Sequence, residues 1–231
     1  DYSQLAITIP QLLVQGKNLL LQHPVGGNKL DLLRSPFDAK DEPILFGLPF
    51  CLFESFCAVL NIFREDGCRR ILDLGCGNGR HLIQFMKEGF AVVGMDISMS
   101  AVRLVREWTN EEKLNSKVIT ADMRTSFPLK GGTFDGVFSN QVIHHALIEE
   151  IRQSNREIHR VLRVGGLAFV TVSARVDDGI GHKNIEAGTY IPLSGSEKGL
   201  PHHIFNEEEL RLEFKQFKIE DLSLRAGGKI L

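Results

Sequence analysis

Between residues 66 and 174, short apolar runs alternate with amphipathic stretches, and no other feature restricts the fold so tightly. Arg70-Ile-Leu-Asp-Leu-Gly75 reads as a strand ending in glycine, and residues 81–88 as a helix stopped at Gly89. Residues 91–96 form a second predicted strand. Ser98 then stands where a hydroxyl can cap the first turn of a helix carrying Val102, Leu104, Val105 and Trp108. Residues 117–120 and 134–138 supply two further strands, and residues 148–162 have helical spacing. Residues 167–172 form a fifth strand that is almost continuously apolar. Strands alternating with helices join by right-handed crossovers. The expectation is an α/β doubly wound, mostly parallel sheet with helices on both faces, whose ligands bind beyond the carboxyl ends of the strands.

The first strand runs into Asp73-Leu-Gly-Cys-Gly-Asn-Gly79, a D-x-G-x-G-x-G turn. Glycines there permit a tight turn and remove the Cβ atoms that would keep a ligand away. The helix that follows presents free N–H groups. Asp96 lies 21 positions beyond Gly75 at the end of the second strand, where its carboxylate can accept from two ribose hydroxyls. A dinucleotide fingerprint, G-x-G-x-x-G, would need a third glycine at position 80. That position holds Arg80, so the turn favours a nucleoside ligand without a pyrophosphate and disfavours a nicotinamide oxidoreductase.

Around this core the chain divides into three zones of one domain. Residues 1–65 read as an apolar helical lead-in or lid, with a loop around Pro24-Val-Gly-Gly-Asn28. Residues 66–174 are the cofactor-binding core. Residues 175–231 hold an irregular acceptor-side insert, then a helix over 207–217 and a terminal strand over 218–224. Residues 44–63 are apolar enough to raise a membrane span, but Pro49 and Glu54 interrupt them, so a buried helix or pocket wall is expected. Phe37, Phe46, Phe50, Phe53 and Phe56 would pack there. The formal charge is −2, with 27 basic and 29 acidic residues, and shows no basic excess of the kind that marks nucleic-acid binding. Cys51, Cys57, Cys68 and Cys76 form neither C-x-x-C pairs nor zinc-finger spacing, which points to reduced thiols in a cytoplasmic protein.

Leu72-Asp-Leu-Gly-Cys-Gly-Asn-Gly79 closely resembles the first motif of class I S-adenosylmethionine-dependent methyltransferases, and Val93-Gly-Met-Asp-Ile-Ser98 their second. Ala121-Asp122-Met123 resembles the acidic element after strand three, and Phe134-Asp135 with Asn140-Gln-Val-Ile-His-His145 the fourth. Glu157-Ile-His-Arg-Val-Leu-Arg-Val-Gly-Gly166 is similar to a segment of the ubiquinone-type and tellurite-resistance-type branches, with Val164 in place of the usual proline. The resemblance covers residues 68–174 and implies the Rossmann-like class I methyltransferase fold. It implies S-adenosylmethionine as cofactor and S-adenosylhomocysteine as product. By the same resemblance Asp73 holds the turn and meets the cofactor amino group through water, Gly75, Cys76 and Gly77 lie along the methionine part, and Gly79 belongs to the cofactor-binding set. Asp96 meets the ribose, and Ile97 lies against the adenine. Asp122 and Met123 meet the adenine from the other side, and Asn140, Gln141 and Val142 line the sulfonium.

A sulfonium is already an activated methyl donor, so in-line transfer needs chiefly positioning and exclusion of water. A base helps when the acceptor must lose a proton. The candidates are His145, beside His144 after strand four, with His202, His203 and Tyr190 in the insert. His202 and His203 also fit a surface loop turn. No clustered carboxylates appear and the histidines lack ligand spacing, so no metal is expected. The turn-rich residues 181–199 are placed to set specificity. A small-molecule acceptor fits the near-neutral charge, and nothing points to a membrane partner. RNA is the alternative acceptor, since tRNA wobble-uridine methyltransferases carry a similar glycine turn and Ile-His-His segment. A non-catalytic, protein-binding relative is a further alternative. A seventh strand would begin at Gly227-Gly-Lys-Ile-Leu231: either an end is missing there or the last strand is very short, and a sixth strand left unpaired would be an exposed edge.

Overall fold

The computed structural model describes residues 16–22, 53–173, 181–226 and 229–230. Strand β1 (Gly16–Gln22) and helix α1 (Phe53–Glu65) come first, followed by β2 (Arg70–Leu74), α2 (Arg80–Lys87), β3 (Ala91–Asp96) and α3 (Met99–Glu111). Next are β4 (Lys117–Thr120), β5 (Phe134–Asn140), α4 (Ile148–Val161) and β6 (Leu162–Val172). A three-stranded antiparallel sheet, β7 (His182–Glu186), β8 (Thr189–Pro192) and β9 (His202–His203), precedes α5 (Glu207–Glu213), β10 (Lys218–Ala226) and β11 (Lys229–Ile230).

Five strands run parallel in the order β4-β3-β2-β5-β6, as the alternating pattern predicts. Side chains of a strand alternate between faces. Leu72 and Leu74 therefore enter one core with Ile151, Ile158 and Val161 of α4 and Leu210 of α5. Ile71 enters the other core with Phe63 of α1, Leu82 and Phe85 of α2, and Val102 and Val105 of α3. Full burial of a side chain such as Phe63 or Phe85 contributes roughly 1.5–3 kcal/mol. Ser98 caps α3 as expected, accepting from the Ala101 N–H at 3.2 Å. Leu104 and Trp108, read above as part of that helix's pattern, are 52% and 37% exposed; Val102, Val105 and Thr109 make its buried stripe.

Two expectations are corrected on the other side of the sheet. Residues 16–22, assigned above to a helical lead-in, form β1, which lies between β6 and β10 and pairs antiparallel with both. Strand β10 is therefore not left unpaired along that side, and β11 pairs along its other side. Three successive leucines gave no alternating signal in β1. The pairing is set instead by Leu21, which is fully buried among the α4-side core. The lead-in helix survives as α1, with Phe56 in the core. Phe37, Phe46, Phe50, the loop at 24–28 and Cys51 lie outside the described residues. Among the described residues, no helix is long and apolar enough to cross a membrane.

The irregular insert is more ordered than its composition predicts. Glu186 of β7 accepts from the Ile148 N–H at 2.7 Å and from Thr189 Oγ1 at 2.9 Å, stitching the small sheet to the start of α4. Arg152 clamps Glu213 with two charge-assisted bonds of 2.7 and 2.8 Å, joining α4 to α5.

Candidate active site

The glycine turn leaves the end of β2 and is tied to β3: the Gly75 and Cys76 N–H groups both donate to the Met95 carbonyl, at 2.7 and 3.1 Å. Gly75 has φ +74°, and a Cβ there would come within 2.3–2.9 Å of the Val142 side chain. Only glycine satisfies both the left-handed backbone and the contact. At Gly77, φ is +51° and a Cβ would meet nothing within 4 Å, because that position faces an open cleft. The cleft, about 250 Å³, is lined by Gly75, Cys76, Gly77, Asn78, Arg80, His81 and Asn140.

Two aspartates flank this turn. Asp96 Oδ2 accepts from the Gly77 N–H and Oδ1 from the Ser98 N–H, both at 2.8 Å. Each oxygen keeps acceptor capacity for a further donor. Ile97 beside it is 59% exposed, an apolar surface at the rim. Asp73 is buried, and its Oδ2 has no hydrogen-bond partner. Burial, and secondarily the charge of Asp96, push its carboxyl up to about 7; Leu82 N–H and Arg80 act in the opposite direction. An unsatisfied buried acceptor costs about 1–3 kcal/mol, so this position is costly as it stands.

Cys76 contributes backbone to the cleft while its thiol is buried, and a Cβ on Gly94 would come 3.0 Å from its Sγ. Burial raises that thiol far above its ordinary range. Gly79 directly precedes α2. Asp122 is held by Arg124, which donates from Nη2 at 2.7 Å, from Nε at 2.9 and 3.0 Å, and from its backbone N–H at 2.9 Å. These bonds hold the Asp122 carboxyl below its usual range. An adenine amino group reaching Asp122 must share or displace that guanidinium. Met123 follows in the same turn, and its carbonyl accepts from Ser154 Oγ of α4 at 2.8 Å.

Strand β5 delivers Asn140, Gln141 and Val142. Thr171 Oγ1 donates to Asn140 Oδ1 at 2.9 Å and accepts from the Gln141 N–H at 2.8 Å and from Gln141 Nε2 at 3.1 Å. Gln141 has φ +59°, a left-handed conformation that is uncommon outside glycine. Strained backbone of this kind clusters at functional sites. Asp135, by contrast, sits at the opposite end of β5. There it accepts from the Arg69 and Arg70 N–H groups and pairs with Arg163.

The same loop continues to His144 and His145. The His203 N–H donates to the His144 carbonyl at 2.8 Å, which brings β9 against the loop. Alternation along β9 separates its two histidines. His202 joins His145 and His144, with ring centroids 4.6 and 5.8 Å away, and Tyr190 stacks on it at 5.2 Å. His203 takes the other side. It is fully buried, its Nδ1 is 2.7 Å from Thr189 Oγ1, and its Nε2 is 3.1 Å from Glu209 Oε1. The reading of this pair as a surface turn is thereby corrected: both rings are buried, at 5% and 0% exposure. Of the four candidate bases, the fold gathers His145, His202 and Tyr190, and engages both nitrogens of His203 elsewhere. Burial holds His144 well below the ordinary histidine range and brings His145 down to about 4, with neighbouring imidazoles adding to the effect. Burial also lowers His202, against the opposing charge of Glu197. Burial thus favours the neutral form of each ring.

Two site residues escaped sequence reasoning. His81 lines the cleft with its ring 5.0 Å from both Phe56 and Phe138, and burial brings it down to about 4. Its place two residues after Gly79 of the glycine turn was the available signal. Glu197, on an exposed turn of the insert, lies 3.3 Å from His202 and 4.0 Å from His145, a proximity with no local sequence signature.

Residues 72–170 match the family model described as a methyltransferase domain. A Geobacillus sp. (strain WCH70) protein named as a methyltransferase is 29% identical over 173 residues, covering 69% of this chain and 67% of its own length. The 18S rRNA (guanine-N(7))-methyltransferase of Schizosaccharomyces pombe is 36% identical over 38% of this chain and 32% of its own. The malonyl-[acyl-carrier protein] O-methyltransferase of Legionella pneumophila is 37% identical over 45% and 36%. The chain thus spans only about a third of the length of the last two. Among solved structures, an S-adenosylmethionine-dependent methyltransferase of Clostridium acetobutylicum superposes with a TM-score of 0.56 at 12% identity, over 70% of this chain and 78% of that one. A Burkholderia thailandensis 1,6-didemethyltoxoflavin-N1-methyltransferase superposes with a TM-score of 0.54 at 19% identity, over 71% and 66%. Residues 72–170 thus match the methyltransferase domain model, and the chain shares the Rossmann-like fold of the class I methyltransferases.

Proposed function

We propose that the chain transfers a methyl group from S-adenosylmethionine to a small-molecule acceptor. The observation that carries this reading is the unpartnered buried oxygen of Asp73, at the start of a glycine turn that lines an open cleft and whose Gly77 N–H is held by the Asp96 carboxylate. The residues fit the cofactor. Asp73 offers an acceptor to a cationic amino group, the turn at Gly75 and Gly77 leaves room for a ligand chain, and Asp96 retains acceptor capacity for ribose hydroxyls. When bound, the cofactor supplies an electrophilic methyl whose departure leaves a neutral thioether. Ile97 and Met123 would hold the adenine, and Asn140, Gln141 and Val142 would orient the donor end. The strained Gln141 fixes that direction through Thr171. In this reading His145, His202 and Tyr190, gathered by the fold, serve the acceptor, where an uncharged imidazole can take the proton an acceptor loses.

Two features support a small acceptor. His202 of β9 is buried and stacks on Tyr190 of β8. The arginines of α4 are engaged in ion pairs, Arg152 with Glu213, Arg156 with Glu149 and Arg160 with Glu157, which leaves no basic stripe on that helix. The segment from Glu157 to Gly166 supports placement in the ubiquinone-type or tellurite-resistance-type branch. The test is calorimetric titration with S-adenosylmethionine, S-adenosylhomocysteine and NADH, followed by labelled methyl transfer into small-molecule and RNA fractions. Micromolar binding of both sulfur ligands, none of NADH, and label in the small-molecule fraction are expected. NADH binding alone would overturn the cofactor assignment, and salt-sensitive labelling of RNA would overturn the acceptor class.

A further inference from the structure

Three imidazoles from two distant segments converge. One ring nitrogen from each of His144, His145 and His202 lies within 4.8 Å of the others. Glu197 completes the group, with Oε2 3.3 Å from His202 Nε2 and Oε1 4.0 Å from His145 Nε2. We propose that His144, His145, His202 and Glu197 form a binding site for one divalent late transition-metal ion of the zinc class.

A second observation points the same way. His144 is 3% exposed and its Nδ1 has no hydrogen-bond partner; His202 is 5% exposed and its Nε2 has none. Histidines buried for packing ordinarily satisfy both nitrogens, as His203 does with Thr189 and Glu209 a residue away. Here a buried ring nitrogen of His144 and one of His202 are left without a hydrogen bond, and the Glu197 carboxylate stands at the group's exposed side. Imidazole donors select zinc, cobalt or nickel over magnesium or calcium, which prefer oxygen donors. Tetrahedral zinc holds nitrogens at about 2.0–2.1 Å, so the ligand atoms must draw in from their present spacing. His144 and His202 are tied together by the backbone bond between His203 and His144, while Glu197 sits on an exposed turn.

The site itself does not depend on the methyl-transfer reading; its consequence for the acceptor does. With the metal bound, the imidazole lone pairs are committed to it. An acceptor carrying a hydroxyl, thiol or amine that enters the coordination sphere would then lose its proton to solvent water, because the cation stabilises the conjugate base. That narrows the acceptor class to small molecules with such a donor atom.

The experiment uses the chelator-treated chain titrated with Co²⁺, followed by visible absorption, then with Zn²⁺ in competition. One equivalent of Co²⁺ with the ligand-field bands of a four-coordinate site, displaced by Zn²⁺, is expected. His202→Ala should abolish it, Glu197→Gln at the exposed position should weaken it by at least about tenfold, and His182→Ala should leave it unchanged. Ring ¹⁵N shifts on adding Zn²⁺ to the unmutated chain report the same ligands without any variant. Absence of stoichiometric binding by the folded chain, unchanged binding in His202→Ala, or ring shifts confined to other histidines would overturn the proposal. S-adenosylhomocysteine titration of the same samples is read separately, so failure of the metal site and failure of the cofactor reading are distinguished.

Discussion

Replacing Asp73 by asparagine keeps the side chain's shape and removes its charge. The carboxyl is raised to about 7 in the folded chain, against an ordinary value of 3.8. A carboxylate raised in this way binds more protons folded than unfolded between those two values. Stability from this group is therefore fully present below the unfolded value and is lost as pH rises through the folded one. Between pH 5 and pH 7 the penalty grows by about 1.4 kcal/mol per pH unit, or about 3 kcal/mol in all. The substituted amide carries no such penalty, though it leaves a buried donor without a partner at a pH-independent cost of about 1–3 kcal/mol. The stability gap between Asp73→Asn and the unmutated chain should thus move by about 3 kcal/mol in the variant's favour from pH 5 to pH 8. The buried histidines impose the opposite trend, losing stability as pH falls below 6.5, but they are common to both proteins and cancel in the gap. Urea unfolding at both pH values, followed by the fluorescence of Trp108, measures it. A gap that stays constant within about 0.5 kcal/mol would refute the raised carboxyl. The same variant should bind S-adenosylmethionine more weakly, since an amide donor replaces the acceptor offered to a cation.

Asp96→Ala should weaken S-adenosylmethionine binding by roughly 1–3 kcal/mol in calorimetry while the chain stays folded; unchanged affinity would remove the ribose assignment. Gly75→Ala drives a methyl to within 2.9 Å of Val142 on a left-handed backbone, and should abolish binding at concentrations that saturate the unmutated chain. His203→Ala empties a fully buried site and strands Thr189 and Glu209, at a cost of about 2–4 kcal/mol in urea unfolding. Lys113, just past α3 at φ +58°, is the reverse case: Lys113→Gly should stabilise by up to about 1 kcal/mol with no change in ligand binding.

What could be read in the residues divides along the range of the interactions. Asp96, Ser98 and the glycine turn were legible because spacing within about thirty residues fixes a strand, a turn and a cap. The burial of His202 was not, because it depends on His203 donating to His144 across some sixty residues. Gln141 carries no mark of its left-handed backbone, which Thr171 imposes from the neighbouring strand. Glu197 reads as one more charge in a polar loop. The same limit hid β1, whose Gly16-Lys-Asn-Leu-Leu-Leu-Gln22 has neither alternation nor turn signals, and which becomes a strand only because β6 and β10 flank it.

That strand alters the order in which the molecule can assemble. Gly16 meets Arg225, so one seam of the sheet joins residues roughly 200 positions apart. Contacts so remote form slowly, because the intervening chain must first be gathered. On a ribosome β1 would emerge early and wait, half-templated by β6 at best, until residues 218–226 had left the exit tunnel. The parallel strands β2 to β6 need no such delay. The molecule thus has a clasp that closes last, and its late closing exposes the backbone edges of β1 and β6 to any other strand that reaches them first.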